Sequence, residues 1–141
     1  MLPIAGGAEQ DRELIERLVA TGEIPLAAVD RAEQLWRERL QHGVSTPSGE
    51  TMTLALTDLY HLLRDDRIWR KPERNELLLS NVFEIRSVQL DRRRALGRWQ
   101  EGNHTITGYA ILSSESHLVT LHLVSESEMG RLRRQGNQLW P

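Results

Sequence analysis

The sequence contains no cysteine, and this absence narrows the chemistry that the chain can perform. Disulfides, thiolate nucleophiles and cysteine-containing zinc sites are excluded, so only His, Asp and Glu could bind a metal ion. The five histidines, at positions 42, 61, 104, 117 and 122, form neither an HExxH pair nor a dense cluster with carboxylates. We therefore expect no metal site and no cofactor.

Long apolar runs and the common nucleotide-binding motifs are also absent. No apolar stretch approaches the ~20 residues that a transmembrane helix needs, and no basic segment followed by an apolar one opens the chain. We expect a cytoplasmic protein with no membrane partner. The motifs GxxxxGK[ST], GxGxxG and GxSxG do not occur, so the simplest signatures of P-loop enzymes, dinucleotide-binding enzymes and α/β-hydrolases are missing.

Charge is distributed unevenly along the 141 residues, although the formal net charge is only −2. Residues 1–63 contain five Arg and ten acidic residues, whereas residues 64–98 contain nine Arg and one Lys against six acidic residues. A local positive field of this kind can attract phosphate even on a protein that is acidic overall. The acidic outer faces of the N-terminal segment are either solvated surface or a docking surface for a protein partner.

Apolar residues at helical spacing predict two N-terminal helices, over residues 9–20 and 25–40, and a glycine follows each. We expect them to pack as a helical hairpin over residues 1–43. The segment 43–51 is rich in Gly, Ser and Thr without periodicity, which is typical of a linker. It separates the hairpin from a second unit over residues 52–141.

The second unit begins with further helices, predicted over 53–64 and 72–81. Ser125 and Glu128 have the spacing of a capping box and predict a final helix. The apolar residues near the C-terminus, 139–140, either fold back on the body or mark a cut from a longer chain.

Between these helices the hydrophobic period changes from about 3.6 to 2, which indicates strands. Four strands are predicted, over residues 82–88, 93–99, 105–112 and 117–124. Their short connections favour an antiparallel meander over parallel crossovers. The sequence therefore predicts an α+β fold, in which the N-terminal helical hairpin is followed by helices packed on one face of a four-stranded antiparallel sheet.

One predicted face of this sheet is apolar, while the other carries Arg86, Arg98, Thr120 and His122. This pattern is typical of a sheet that is covered on one side and open on the other. We interpret the open face as the candidate functional surface.

These residue types suit a metal-independent ribonuclease, because RNA supplies its own nucleophile, the 2′-hydroxyl. Such an enzyme needs a general base, a general acid and a cation that stabilises the phosphorane. His61 and His122 could be the acid and base, Arg86 and Arg98 the phosphate clamp, and Thr120 an orienting hydroxyl.

Arg94 and Tyr109 are further candidates for substrate binding, since an aromatic ring can stack on a base. Each assignment has an ordinary structural alternative. Arg86 could pair with Glu84, Tyr109 could belong to the core, and His122 could be a plain surface residue.

Four stretches carry a resemblance to a known family: LALTDLYHLLRDDRIW, RRALGRW, ITGYAIL and HLVTLHLVS. With the order of helix, short helix and four-stranded meander, they resemble the barnase–EndoU–colicin–RelE (BECR) group of ribonuclease folds. Residues 53–125 are similar to its phage-associated branch, which occurs in phage head-morphogenesis proteins and polymorphic toxins.

The resemblance implies RNA cleavage by a toxin or phage effector domain, with His61 from the helix and Arg98, Thr120 and His122 from the sheet. The alternative is a non-catalytic phage structural or accessory module. In that case the acidic N-terminal helices would bind a protein partner and the polar sheet face would have no catalytic role.

Overall fold

Two helices begin the chain in the computed structural model, which describes residues 3–89 and 91–141: α1 (Pro3–Ala20) and α2 (Leu26–Glu38). Between them Gly22 has a φ of 80°, a conformation that glycine adopts without steric cost. Both helices pack on the third α-helix of the chain, Leu56–Leu62. Ile15 and Val29 belong to the same buried cluster as the core residues of the sheet. The N-terminal helices therefore share one core with the rest of the chain.

The segment predicted as a linker contains a short antiparallel ribbon of β1 (Val44–Ser45) and β2 (Thr51–Met52). Its turn is closed by a hydrogen bond from Gly49 N to Thr46 O. Val44 and Met52 are buried, so the ribbon is attached to the core on one side. Strands of two residues are too short to show an alternating pattern, which is why the sequence did not indicate them.

Three short helices lead from the ribbon to the main sheet: α3 (Leu56–Leu62), α4 (Asp66–Trp69) and α5 (Arg74–Ser80). Aspartate carboxylates accept backbone hydrogen bonds at the starts of α3 and α4. Asp58 accepts a hydrogen bond from Ala55 N at the start of α3, and Asp65 accepts one from Arg67 N at the start of α4. Such side-chain acceptors satisfy the backbone N–H groups that a helix start leaves without partners.

The main sheet is antiparallel throughout, and its strand order is β6, β5, β4, β3, β7. The strands are β3 (Val82–Ser87), β4 (Arg93–Glu101), β5 (His104–Leu112), β6 (Leu118–Val124) and β7 (Gln138–Trp140). The α+β class and the antiparallel sheet are confirmed, but the prediction of four strands was wrong. The fifth strand, β7, pairs with β3 and is only three residues long, so it carries no alternation that the sequence could reveal.

Glycines allow α5 to lie close to one face of the sheet. Gly97 and Gly108 are cross-strand partners on β4 and β5, and Leu78 of α5 lies over both. A Cβ at Gly97 would lie 2.9 Å from Leu78 O, and one at Gly108 would lie 2.7 Å from Leu78 Cδ1. The main core therefore forms on this face, between the sheet and α3 to α5.

The second face, which was expected to be open, is partly covered by α6 (Glu126–Leu132). Ser125 caps this helix as predicted, by accepting a hydrogen bond from Glu128 N, but the Glu128 side chain pairs with Arg131 and does not complete the capping box. Met129 and Leu132 then pack on Leu96 in the middle of the sheet. Alternation along the strands predicts which residues share a face, but it does not predict that a later helix folds back over that face.

A β-bulge between Val82 and Glu84 also changes the predicted faces of β3. In a regular strand Phe83 would share the core face with Ile85, two positions later, but it packs against the small cluster under α6. Because the bulge adds a residue to one strand, it shifts the alternation from that point onward.

Ion pairing at Glu101 connects the end of β4 to α5. The carboxylate accepts hydrogen bonds from Arg74 Nε at 3.1 Å, Arg74 Nη2 at 2.8 Å and Trp99 Nε1 at 2.8 Å. Hydrogen bonding by Arg74, with a further contribution from Trp99, lowers the pKa of Glu101 from 4.5 to about 2. The charged form of this side chain is therefore the form that the folded protein stabilises.

Replacing Glu101→Gln should lower the free energy of unfolding by about 1–3 kcal/mol at pH 7, because hydrogen bonds to a charged group are lost. A lowered pKa contributes stability that is complete above the unfolded value of 4.5 and is lost as the pH falls toward about 2. Urea unfolding at pH 7, 4 and 3 should therefore show the difference from wild type shrinking. Glu115→Gln, at an exposed position, is the control. A difference that stays constant down to pH 3 would contradict this account.

Candidate functional site

Arg86 is held by the protein itself at the centre of the polar face. Its Nη1 lies 2.7 Å from Glu84 Oε2, and its Nε donates to Gln135 O at 2.7 Å. Glu84 is only 2 % exposed and also accepts a hydrogen bond from Arg133 Nε at 2.9 Å. Arg86 thus has the structural partner that the sequence offered as its alternative, together with a backbone carbonyl.

Arg98 also has a carboxylate partner, but an exposed one. Its Nε and Nη2 each donate to Glu126 at 3.1 Å, and its guanidinium lies 4.8 Å from the centre of the Phe83 ring. It lies toward the α6 end of the sheet, opposite Thr107 on β5. The structure shows Arg98 bound to Glu126 at the start of α6. Its catalytic role stays a prediction.

Three of the predicted catalytic residues line one shallow pocket of about 210 Å³ between α3 and β6: His61, Thr120 and His122. Arg64 and Asp65 complete its polar lining, with Leu62 and Leu121 as the apolar part. The pocket lies along β6, which is the edge strand of the sheet. It therefore combines two imidazoles, a hydroxyl, a guanidinium and a carboxylate at a position that solvent can reach.

Local structure explains why these side chains converge. His61 lies in the last turn of α3, and Arg64 lies in the turn that follows this helix, where its backbone N–H donates to His61 O. Thr120 and His122 are two positions apart on β6 and so share a face of the strand, with Thr120 Oγ1 3.3 Å from His122 Nε2. The pocket forms where the helix end and the strand meet.

Tyr109 and Arg94 extend this site across the sheet. Tyr109 is the cross-strand partner of His122, and their ring centres are 5.3 Å apart. On its other side Tyr109 lies 5.1 Å from the guanidinium of Arg94, which donates to Gln135 Oε1 at 3.0 Å. Within the described part of the chain, no carboxylate pairs with Arg94. Two of the three predicted substrate-binding residues, Tyr109 and Arg94, therefore lie in a row with His122, whereas Arg86 does not.

Sequence patterns did not indicate Arg64 or Asp65 as pocket residues. The signal for Arg64 was its spacing of three from His61, which becomes meaningful only once His61 is placed in a site. His117 was assigned no role, yet its Nε2 lies 2.7 Å from Asp58 Oδ2 and its Nδ1 lies 3.2 Å from Thr53 Oγ1. These contacts connect the start of α3 to the start of β6.

Residues 3–89 and 91–141 contain neither a candidate metal site nor a candidate membrane-spanning helix. In these ranges no group of three or more His, Asp or Glu side chains is placed to hold a metal ion. No described helix is both long enough and apolar enough to cross a membrane.

Comparison with known proteins gives no relative for this chain. No protein-family model, no curated protein and no solved structure matches it.

The two arginine pairs of the polar face should differ in their contribution to stability. Glu84→Gln leaves Arg86 and Arg133 without a buried counter-charge, which should cost about 3 kcal/mol of unfolding free energy. Glu126→Gln removes the exposed partner of Arg98 and should cost less than about 1 kcal/mol. Chemical unfolding of both variants measures the difference. Equal losses would show that Arg86 is not part of the structural framework.

Proposed function

We propose that this protein is a metal-independent RNA endonuclease whose active site is the pocket between α3 and β6. The observation that carries the proposal is the convergence of His61 and His122 on one pocket, together with Thr120 and Arg64. Two imidazoles beside a cation are the groups that RNA cleavage by its own 2′-hydroxyl requires.

In the proposed reaction, one histidine takes the proton of the 2′-hydroxyl as its oxygen attacks the adjacent phosphorus. The bond from phosphorus to the 5′-oxygen breaks, and the second histidine donates a proton to that oxygen. The products are a 2′,3′-cyclic phosphate and a 5′-hydroxyl.

Arg64 is the cation best placed to stabilise the charge that develops on the phosphate oxygens. It lines the pocket and is exposed, with 46 % of its side chain accessible. Arg86, by contrast, is bound to Glu84 and is 11 % exposed. We therefore assign the phosphate clamp to Arg64, a residue that the sequence patterns did not single out.

Tyr109 and Arg94 would bind the nucleotides next to the cleaved bond. The Tyr109 ring lies beside His122, tilted by 45° to it, and under the Arg94 guanidinium, so a base and a phosphate could be bound in sequence along the row. Single-stranded RNA is the substrate form that such a row can accept, because its bases are free to stack.

Membership of the BECR group, and a role as toxin or phage effector, belong to the same proposal. The antiparallel sheet with helices on the face that carries the core supports it. The fifth strand and α6 are additions to the arrangement that the resemblance implied.

The test is cleavage of a fluorescent single-stranded oligoribonucleotide in EDTA by the full chain. His61→Ala and His122→Ala should each lower the rate by roughly 10²–10⁴-fold, the usual contribution of general acid–base catalysis. His104→Ala, purified in parallel, is the matched control because His104 is exposed and lies outside the pocket. The product should carry a cyclic phosphate. An inactive wild type, or equal rates for all three variants, would refute the proposal.

A second candidate function is protein binding by the acidic N-terminal helices. Between α1 and α2 lies a groove of about 420 Å³, whose apolar lining includes Ile15, Val19 and Leu26. Leu26 is 60 % exposed, and Glu16 and Glu33 stand at the groove. Apolar surface with acidic flanks fits a partner helix that carries apolar anchors beside Lys or Arg.

A synthetic amphipathic Leu/Lys peptide is a suitable probe for this groove. The wild-type chain should bind it, and Leu26→Asp should weaken binding by about tenfold or more, because an apolar anchor site is lost. Leu139→Asp is the control, since Leu139 is also exposed but lies on β7. Equal affinity of wild type and Leu26→Asp in a calorimetric titration would rule out the groove as the binding site.

A further inference from the structure

Asp11 of α1 contacts two side chains of the pocket lining, His61 of α3 and Arg64 of the turn that follows α3. Its Oδ2 lies 3.4 Å from His61 Nδ1, and its Oδ1 lies 3.5 Å from Arg64 Nη1. The carboxylate is 20 % exposed and is not part of the pocket lining. It therefore acts on the two residues from behind, through groups that a ligand in the pocket would not use.

The contact of Asp11 with His61 Nδ1 bears on which nitrogen of the His61 ring is available for proton transfer. At 3.4 Å this contact is a charge contact and not a hydrogen bond, but a negative charge beside Nδ1 favours the tautomer that carries its proton there, with the lone pair on Nε2. His61 Nε2 makes no hydrogen bond within the described residues. Nε2 is thus the ring nitrogen that Asp11 leaves free for proton transfer.

Packing of α1 fixes the position of this carboxylate. Asp11 lies four residues before Ile15, which is 2 % exposed and part of the main core cluster, so both face the same side of α1. Helix α1 packs chiefly on α3, the helix that carries His61. The N-terminal helix is therefore placed to support the site as well as the core.

We propose that Asp11 is a positioning residue: it orients His61 for proton transfer at Nε2 and holds Arg64 beside the phosphate. This inference rests on the proposed ribonuclease function. It makes α1 a required part of the active site, so that the N-terminal helices and the sheet form one catalytic unit.

The test compares Asp11→Ala with Asp30→Ala in the full chain; Asp30 is exposed on α2. Long-range ¹H–¹⁵N NMR spectra of the imidazoles report the tautomer of His61. Wild type and Asp30→Ala should show Nδ1–H, whereas Asp11→Ala should show a mixture. In RNA cleavage, kcat of Asp11→Ala should fall at least about tenfold, within the range of acid–base contributions, with a smaller change in KM.

An unchanged His61 spectrum in Asp11→Ala would overturn the positioning role. Faster cleavage by Asp11→Ala would also overturn it, because Asp11 would then be competing with the phosphate for Arg64. Absence of cleavage by the wild type would refute the ribonuclease proposal, while the change of tautomer would still establish the contact that orients His61.

Discussion

The contact between the start of α3 and the start of β6 is the constraint on which the candidate site depends. Asp58 Oδ2 lies 2.7 Å from His117 Nε2, and the backbone of Thr53 exchanges hydrogen bonds with the segment that leads into β6. Buried leucines of both elements pack in one core cluster behind this contact. Because α3 is fixed against the edge strand in this way, His61 and His122 line the same pocket although they are far apart in the sequence.

Helix α6 covers part of the polar face, so the accessible polar groups of this face lie along the edge formed by β6. Helix α6 lies over the middle of the sheet. Near it, Arg86 is bound by Glu84 and by Gln135 O, and Arg98 is bound by Glu126. Tyr109 is the residue that connects this covered region to His122. On this surface Arg86 is thus part of the structural framework near α6, whereas the polar groups along β6 face solvent.

Hydrophobic periodicity was sufficient to predict α1, α2, α3, α5 and the four long strands, because each has several turns or alternations, but it missed α4, which has only four residues. It did not predict β1, β2 and β7, which have two or three residues each. The prediction of an open face was wrong because the position of α6 depends on tertiary packing, which a local sequence pattern does not predict. Chemical reasoning indicated His61 and His122 as a pair, whereas Arg64 and Asp11 became visible only through the packing of α1 on α3 and of α3 on β6.

The most direct measurement is a ¹H–¹⁵N NMR titration of the full chain with a single-stranded oligonucleotide that lacks the 2′-hydroxyl and so cannot be cleaved. The account predicts saturable shifts centred on His61, Thr120 and His122 and extending to Tyr109, weakening as salt is added because phosphate contacts are screened. Shifts that are absent, or that map to the groove between α1 and α2, would contradict the claim that the pocket along β6 binds RNA.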